Sequence, residues 1–345
     1  MFNRHRMAAC VNCRTSIAPE EESAVYTRKL GRSGIEVSAL GLGCWAIGGP
    51  FWNEYGHPVG WGEVDDAESV RAIHRALEMG VTLFDTANVY GAGHSEKILA
   101  LGLAGRRPNV VIATKFGRVF DPEKRAVLGN DASPQAIRAA CEDSLRRLNT
   151  DYIDLYQFHL GDYDPEQAVE VRETLEELVA EGKIRAYAWS TDDPERARVF
   201  AQGPHCAAVQ FQLNVLHRND AMLDLLAEYD LAGLIRGPLG MGLLTGKFTP
   251  ESKLPDNDVR SRWNLAEGEQ AKNLARLERL RGVLTQDGRT LAQAALGWLW
   301  AHCDRVIPIP GFKSVRQVEE NVAALDWGPL DDGQMEAIEA LLAGG

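Results

Sequence analysis

The chain is expected to fold as an α/β barrel of eight parallel strands, and three features of the sequence predict this. Short apolar or β-branched runs alternate with longer stretches of helical period. Eight such runs occur between Val37 and Pro310. Polar residues recur at the ends of these runs: Asp85, Lys115, His159, Ser190, Gln210 and Arg236. A barrel gathers strand C-termini on one face, whereas an open doubly wound sheet would scatter them along an edge.

The strands are expected at 37–43, 81–85, 109–115, 152–158, 184–189, 207–211, 231–236 and 305–310. Helical patterns are read at 65–80, 133–148, 164–183, 192–203, 290–303 and 314–325. The first opens on acidic residues and ends at a glycine. The second opens with Ser133 as N-cap and Pro134 in the first helical position. Helices between strands mean parallel pairing through right-handed crossovers.

The segment GLGCWA at 41–46 matches a dinucleotide fingerprint in form only. That fingerprint needs a helix directly after the second glycine. Gly48, Gly49 and Pro50 prevent one here. Gly41 and Gly43 are better read as places where something packs against bare backbone at the barrel mouth.

A net charge of −12 argues against nucleic acid or an anionic membrane surface as a partner. No apolar run approaches the ~18–20 residues of a membrane helix. Six cysteines in 345 residues make no disulfide scaffold and read as reduced thiols in a cytoplasmic protein. Residues 1–25 lack periodicity and read as a disordered leader, with 26–345 a single barrel domain. Cys10 and Cys13 form a lone C-x-x-C without a second pair, which is a weak metal signal. No H-x-H spacing is found on a first strand, so no metal is expected. Oligomeric state is not legible, and a homo-oligomer is left open.

Asp85, Lys115 and His159 lie at strand ends, and Tyr90 lies in the loop after the strand of Asp85. A lysine there is costly to bury alone, and Asp85 is its natural ion-pair partner. The ammonium should favour the phenolate of Tyr90, so the phenol pKa is expected to fall from ~10. His159 can orient a substrate oxygen. The set suits polarising and protonating a carbonyl. Singly, each residue has a structural reading: a buried ion pair, a core histidine, a packed tyrosine. Four together on successive strands are hard to explain that way.

These residues carry a resemblance. FDTA-x-x-YG (84–91), ATKFG (113–117), DYIDLYQFH (151–159), PLGMGLLTGK (238–247) and IPGFKSVRQVEEN (309–321) resemble the motifs of the aldo-keto reductases. The likeness spans about Tyr26 to Leu341. It implies a (β/α)8 TIM barrel, with an N-terminal β-hairpin within 28–43 capping its lower end. It implies a catalytic tetrad of Asp85, Tyr90, Lys115 and His159, and NADPH/NADP as cofactor, with NADH second to it. Hydride would pass directly from the cofactor to an aldehyde or ketone, with Tyr90 as general acid.

The same resemblance assigns cofactor contacts. Ser190 and Gln210 match positions that hold the carboxamide. Pro238, Leu239 and Met241, with Lys247 and Arg260, match the segment along the pyrophosphate, where Arg262 competes with Arg260. Gly311, Lys313, Gln317, Glu320 and Asn321 match the adenosine end, with Lys313 at the 2′-phosphate. Gly43 and Trp45 are also counted among the cofactor contacts. Arg236 stands where an aromatic residue usually stacks on the nicotinamide, and Thr191 where an asparagine often follows the serine. Trp45, Trp52 and Phe120, with Tyr90 and His159, are expected to meet substrate. The tryptophan-rich first loop suggests aromatic or moderately bulky aldehydes and ketones, or sugar rings.

Two other readings differ in class. One is a nucleotide-binding regulatory or redox-sensor barrel, similar to the potassium-channel β subunits, with little turnover. The other is a cofactor-free hydrolase or lyase using Asp85 and His159.

Overall fold

The computed structural model describes residues 26–343. The leader at 1–25 and its C-x-x-C lie outside them. Strands β1 (Thr27–Lys29) and β2 (Glu36–Ser38) form an antiparallel hairpin. Then follow β3 (Leu42–Gly43), α1 (Asp66–Glu78), β4 (Leu83–Asp85), α2 (His94–Gly102) and β5 (Val111–Phe116). A second hairpin, β6 (Arg118–Asp121) with β7 (Ala126–Asn130), precedes α3 (Pro134–Leu148) and β8 (Ile153–Phe158). The chain continues through α4 (Ala168–Ala180), β9 (Ile184–Ser190), α5 (Pro194–Ala201), β10 (Cys206–Gln212), α6 (Asp220–Tyr229) and β11 (Ala232–Arg236). Helices α7 (Gly268–Leu284) and α8 (Leu291–His302) lead to β12 (Val306–Pro308). The chain closes with α9 (Val315–Val322), α10 (Ala324–Trp327) and α11 (Asp332–Ala343).

Eight strands pair in parallel in the order β3-β4-β5-β8-β9-β10-β11-β12. The sheet closes where Gly41 N donates to Pro308 O and Gly43 N to Pro310 O, each at 3.0 Å. A parallel bridge between Gly43 and Gly311 continues that seam. The barrel and the capping hairpin are as the sequence and the resemblance imply.

The period of two along each strand decides what fills the barrel. Leu83, Val111, Ala113, Leu155, Ala186, Ala188, Ala208, Ala232, Leu234 and Ile307 point inward and pack together. Leu30, Ile35 and Val37 of the first hairpin join this cluster and close the lower end. The alternate residues, among them Phe84, Ile112, Tyr156 and Phe211, face the helices. Small inward residues such as Ala186 and Ala188 of β9 and Ala208 of β10 leave room for that plug.

The strand expected at 37–43 is two. Its first part pairs in the hairpin and its second in the barrel, because the chain must bend from the cap into the wall. Region 117–131, to which the sequence reading assigns neither strand nor helix, contains β6 and β7. Four helices, α2, α6, α7 and α11, were not anticipated. Of these, α7 and α11 pack on each other outside the alternating β/α units.

Candidate active site

The inward parity that fills the barrel with apolar groups also delivers its chemistry. Two residues past Leu83 stands Asp85; past Ala113, Lys115; past Leu155, Gln157 and then His159. Ser190, Gln210 and Arg236 continue β9, β10 and β11 in the same register. All but Lys115 and Gln157 line one cavity of about 1300 Å³ at the strand C-termini, and those two lie fully buried at its base.

Lys115 is fully buried, and its Nζ donates to Asp85 Oδ1 at 2.5 Å and to Thr86 O at 2.8 Å. The other oxygen, Asp85 Oδ2, accepts from Gln157 Nε2 at 2.7 Å and Gln210 Nε2 at 2.8 Å. Gln210 Nε2 also reaches Gln157 Oε1 at 3.0 Å. Burial alone would strip the lysine of its proton. The Asp85 charge reverses that, and the ammonium pKa is raised.

Lys115 Nζ lies 5.0 Å from the Tyr90 ring centroid. Trp45 stacks on Tyr90 at 5.8 Å, and the His159 ring meets it edge-on at 5.9 Å. The Tyr90 pKa is raised, contrary to the fall expected from the sequence. Desolvation of the phenol outweighs the pull of Lys115, and Asp85 adds to the rise. Tyr90 is therefore a phenol at neutral pH. Burial and the charges of Lys115, Arg118 and Arg236 push His159 well below its ordinary range, so its imidazole is neutral. His159 Nδ1 is buried without a hydrogen-bond partner among the described residues.

A close approach fixes Tyr90 from above. Gly91 has φ +58°, and a Cβ there would sit 2.0 Å from Gly48 O. The first barrel loop is thereby pressed onto the turn that carries Tyr90.

Away from the tetrad the wall is made of loops. Gly240, Met241 and Gly242 turn with φ of 56°, 53° and 96°. Met241 is not glycine, and its left-handed backbone marks local strain. Arg260 holds this turn, with Nη1 donating to Met241 O at 3.0 Å. Its own charge is met by Asp258 through Nε at 2.8 Å and Nη2 at 2.7 Å. Lys247 stands beside it with its pKa lowered, first by desolvation and then by the Arg260 charge. Lys313 Nζ donates to Trp61 O at 2.6 Å and Glu63 O at 2.8 Å, tying the eighth loop to the first. Gln317 Oε1 accepts from Lys313 N, and Asn321 Nδ2 reaches Gly311 O. Arg236 is ion-paired with Asp192. Thr191 Oγ1 is occupied by Gly161 O.

Gly43, Trp45, Ser190, Gln210, Arg236, Pro238, Leu239, Met241, Lys247, Arg260, Gly311, Lys313, Gln317, Glu320 and Asn321 thus all line the cavity. Arg262 does not line it. Trp52 and Phe120, expected to meet substrate, also stand outside its lining. Trp52 bridges through its backbone to Pro58 and Ala126, and Phe120 packs on the cluster around Phe51 and Val127 beneath Arg147. Both anchor loops. Gln157 and Arg316 were missed. Gln157 had a signal: a polar residue at an inward position of a strand otherwise apolar must find a partner. Arg316, exposed on α9 and lining the cavity, carries none beyond its charge.

Residues 39–343 match the model of the aldo/keto reductase family, and the chain belongs to that family of oxidoreductases. It is 32% identical over 318 residues to an aldo-keto reductase of Bacillus subtilis (strain 168), covering 90% of this chain and 86% of that protein. Among solved structures it is similar to the glycerol dehydrogenase of Gluconobacter oxydans. That match has a TM-score of 0.79 and 33% identity, over 93% of this chain and 96% of the other. It is also similar to an aldo/keto reductase of Klebsiella pneumoniae solved with NADP and acetate. There the TM-score is 0.65 and the identity 28%, over 90% and 93% of the two chains.

Proposed function

We propose that the protein is an NADPH-dependent reductase of aldehydes or ketones, with Tyr90 as general acid. One observation carries the reading: a buried ammonium, fixed by Asp85, lies 5.0 Å from the ring of a phenol that a neutral histidine meets edge-on.

The residues present fit the cofactor. The cavity of about 1300 Å³ is lined from Asp85, Tyr90 and His159 to Lys313 and Arg316. Two glycines, Gly43 and Gly311, meet at its seam and leave backbone bare. Lys247 and Arg260 flank the left-handed turn at 240–242, a concave cationic setting suited to a pyrophosphate. Ser190 and Gln210 would hold the carboxamide, and Lys313 with Arg316 the 2′-phosphate. Gln317, Glu320 and Asn321 would meet the adenosine. The Klebsiella relative, solved with NADP, supports the choice of cofactor.

When bound, NADPH supplies hydride to the carbonyl carbon. Tyr90 donates its hydroxyl to the carbonyl oxygen and passes the proton as negative charge builds there. The ammonium of Lys115 stabilises the phenolate left behind. Asp85, held by two glutamine amides, keeps that ammonium charged and aimed. His159 is neutral, so it can hydrogen-bond the same oxygen without bringing a competing charge.

The test is NADPH consumption with a panel of neutral aldehydes and ketones. Turnover of at least one is expected. Tight NADPH binding without turnover would instead favour the regulatory barrel, and failure to bind NADPH would remove both readings.

A further inference from the structure

Six cations line the cavity: Arg118, Arg236, Lys247, Arg260, Lys313 and Arg316. Four of them lie on the loops after β11 and β12 or on α9, the arc that would take phosphates. Arg236 is already paired with Asp192. Arg118 alone stands on the opposite arc.

Its position follows from topology. β5 lies between β4 and β8 in the sheet. Tyr90 comes from the loop after β4 and His159 from the end of β8. Arg118 comes from the strand that continues β5 beyond Lys115, so it emerges between them. Its charge reaches the site, being one of the causes that keep His159 neutral.

Arg118 is partly buried and lines the cavity, as do the apolar Phe51, Val89 and Val127. Among the described residues it has no ion pair. Its one side-chain hydrogen bond among the described residues is a long one, 3.3 Å, from Nη1 to Asn130 Oδ1 across the β6–β7 hairpin. The nearest acid in sequence, Asp121, is engaged by Lys124, whose backbone N donates to Oδ1 at 3.0 Å and whose Nζ lies 3.4 Å from Oδ2. Glu54 lies on the cavity rim, exposed, and is not paired with Arg118. A guanidinium is a planar fork of donors that matches carboxylate or phosphate oxygens two at a time. On the cavity wall without one, it is incomplete.

We propose that Arg118 is a specificity residue that binds an anionic group on the substrate, so that the preferred substrates are aldehydes or ketones bearing a carboxylate or phosphate. This rests on the carbonyl-reductase reading of the same site. The carbonyl oxygen lies at Tyr90 and His159, and the anion extends toward β6. A neutral carbonyl compound leaves the guanidinium unmatched.

The experiment compares 4-carboxybenzaldehyde with its methyl ester, the same ring and aldehyde with the charge removed. The wild type prefers the carboxylate, and Arg118→Met lowers the ratio of the two kcat/KM values about ten- to hundredfold, as expected for charge-assisted hydrogen bonds. Arg118→Lys keeps part of the preference, since charge survives but the fork does not. A ratio unchanged in Arg118→Met overturns the proposal. A phosphorylated aldehyde run beside them separates the two anions: a larger Arg118 effect on it assigns the site to phosphate. Turnover is not the only readout. Benzoate titrated into the protein and followed by tryptophan fluorescence should bind wild type and bind Arg118→Met about ten- to hundredfold more weakly. Equal binding overturns the anion site. Absence of turnover with all substrates, together with Arg118-dependent benzoate binding, overturns the reductase reading and leaves the site.

Discussion

The two ends of the cavity are built differently. At the tetrad, side chains from β4, β5, β8 and β10 bond to one another in a fully buried network around Asp85. At the far end, cations from loops bond to backbone carbonyls: Arg260 to Met241 and Lys313 to Trp61 and Glu63. Strands fix positions closely, and chemistry needs that. Loops can part and re-close, and capture of a long ligand needs that. Damage at the first end should therefore appear in turnover and stability, and damage at the second in affinity.

The largest effect should come from Lys115→Met. It leaves Asp85 buried without its cation, which typically costs about 3–5 kcal/mol when one partner of a buried pair is removed. Urea unfolding should show that loss, alongside near-complete loss of reductase activity. A stable and active Lys115→Met protein would remove the distinction between the two ends.

Next is Lys313→Ala. It should weaken NADPH binding about tenfold or more, NADH much less, and leave the rate at saturating cofactor near wild type. Fluorescence titration with both nucleotides measures it. Equal losses for the two would place Lys313 away from the 2′-phosphate and make it only a tie between loops.

The pH profile sharpens the first end. Reduction needs the protonated phenol, and the Tyr90 pKa is raised. The value of kcat/KM should then hold across neutral pH and fall only above the ordinary tyrosine range of ~10, as the proton is lost. An alkaline limb near pH 8 would mean that Lys115 outweighs desolvation after all.

The smallest contrast concerns the aromatic residues. Trp45→Ala should change the substrate profile, because Trp45 stacks on Tyr90 and lines the cavity. Trp52→Ala should lower thermal stability and leave relative rates among aldehydes unchanged. The reverse result would return Trp52 to the substrate wall.

The same contrast separates what the sequence reveals from what it hides. Asp85, Lys115 and His159 were legible because a polar residue ending an inward apolar series must lie at a barrel mouth. Gln157 obeys that rule equally and could have been read. The pKa of Tyr90 could not, since its sign depends on how much water the fold removes from the phenol relative to the pull of one ammonium. On the loop side no periodicity exists, and the cofactor residues were reached through resemblance alone. Which tryptophan faces the cavity was decided by loop packing: Trp45 hydrogen-bonds Val59 O at 2.9 Å and turns inward, while Trp52 follows the backbone of Ala126 outward.

The central claim is that the strand-borne end performs the chemistry and the loop-borne end holds the cofactor. Tyr90→Phe tests it most directly, assayed for NADPH affinity and for reduction rate on the same sample. The account predicts wild-type affinity with a rate lower by about two to four orders of magnitude, the usual contribution of a positioned acid. A variant that still reduces carbonyls at a comparable rate, or one that no longer binds NADPH, would contradict it.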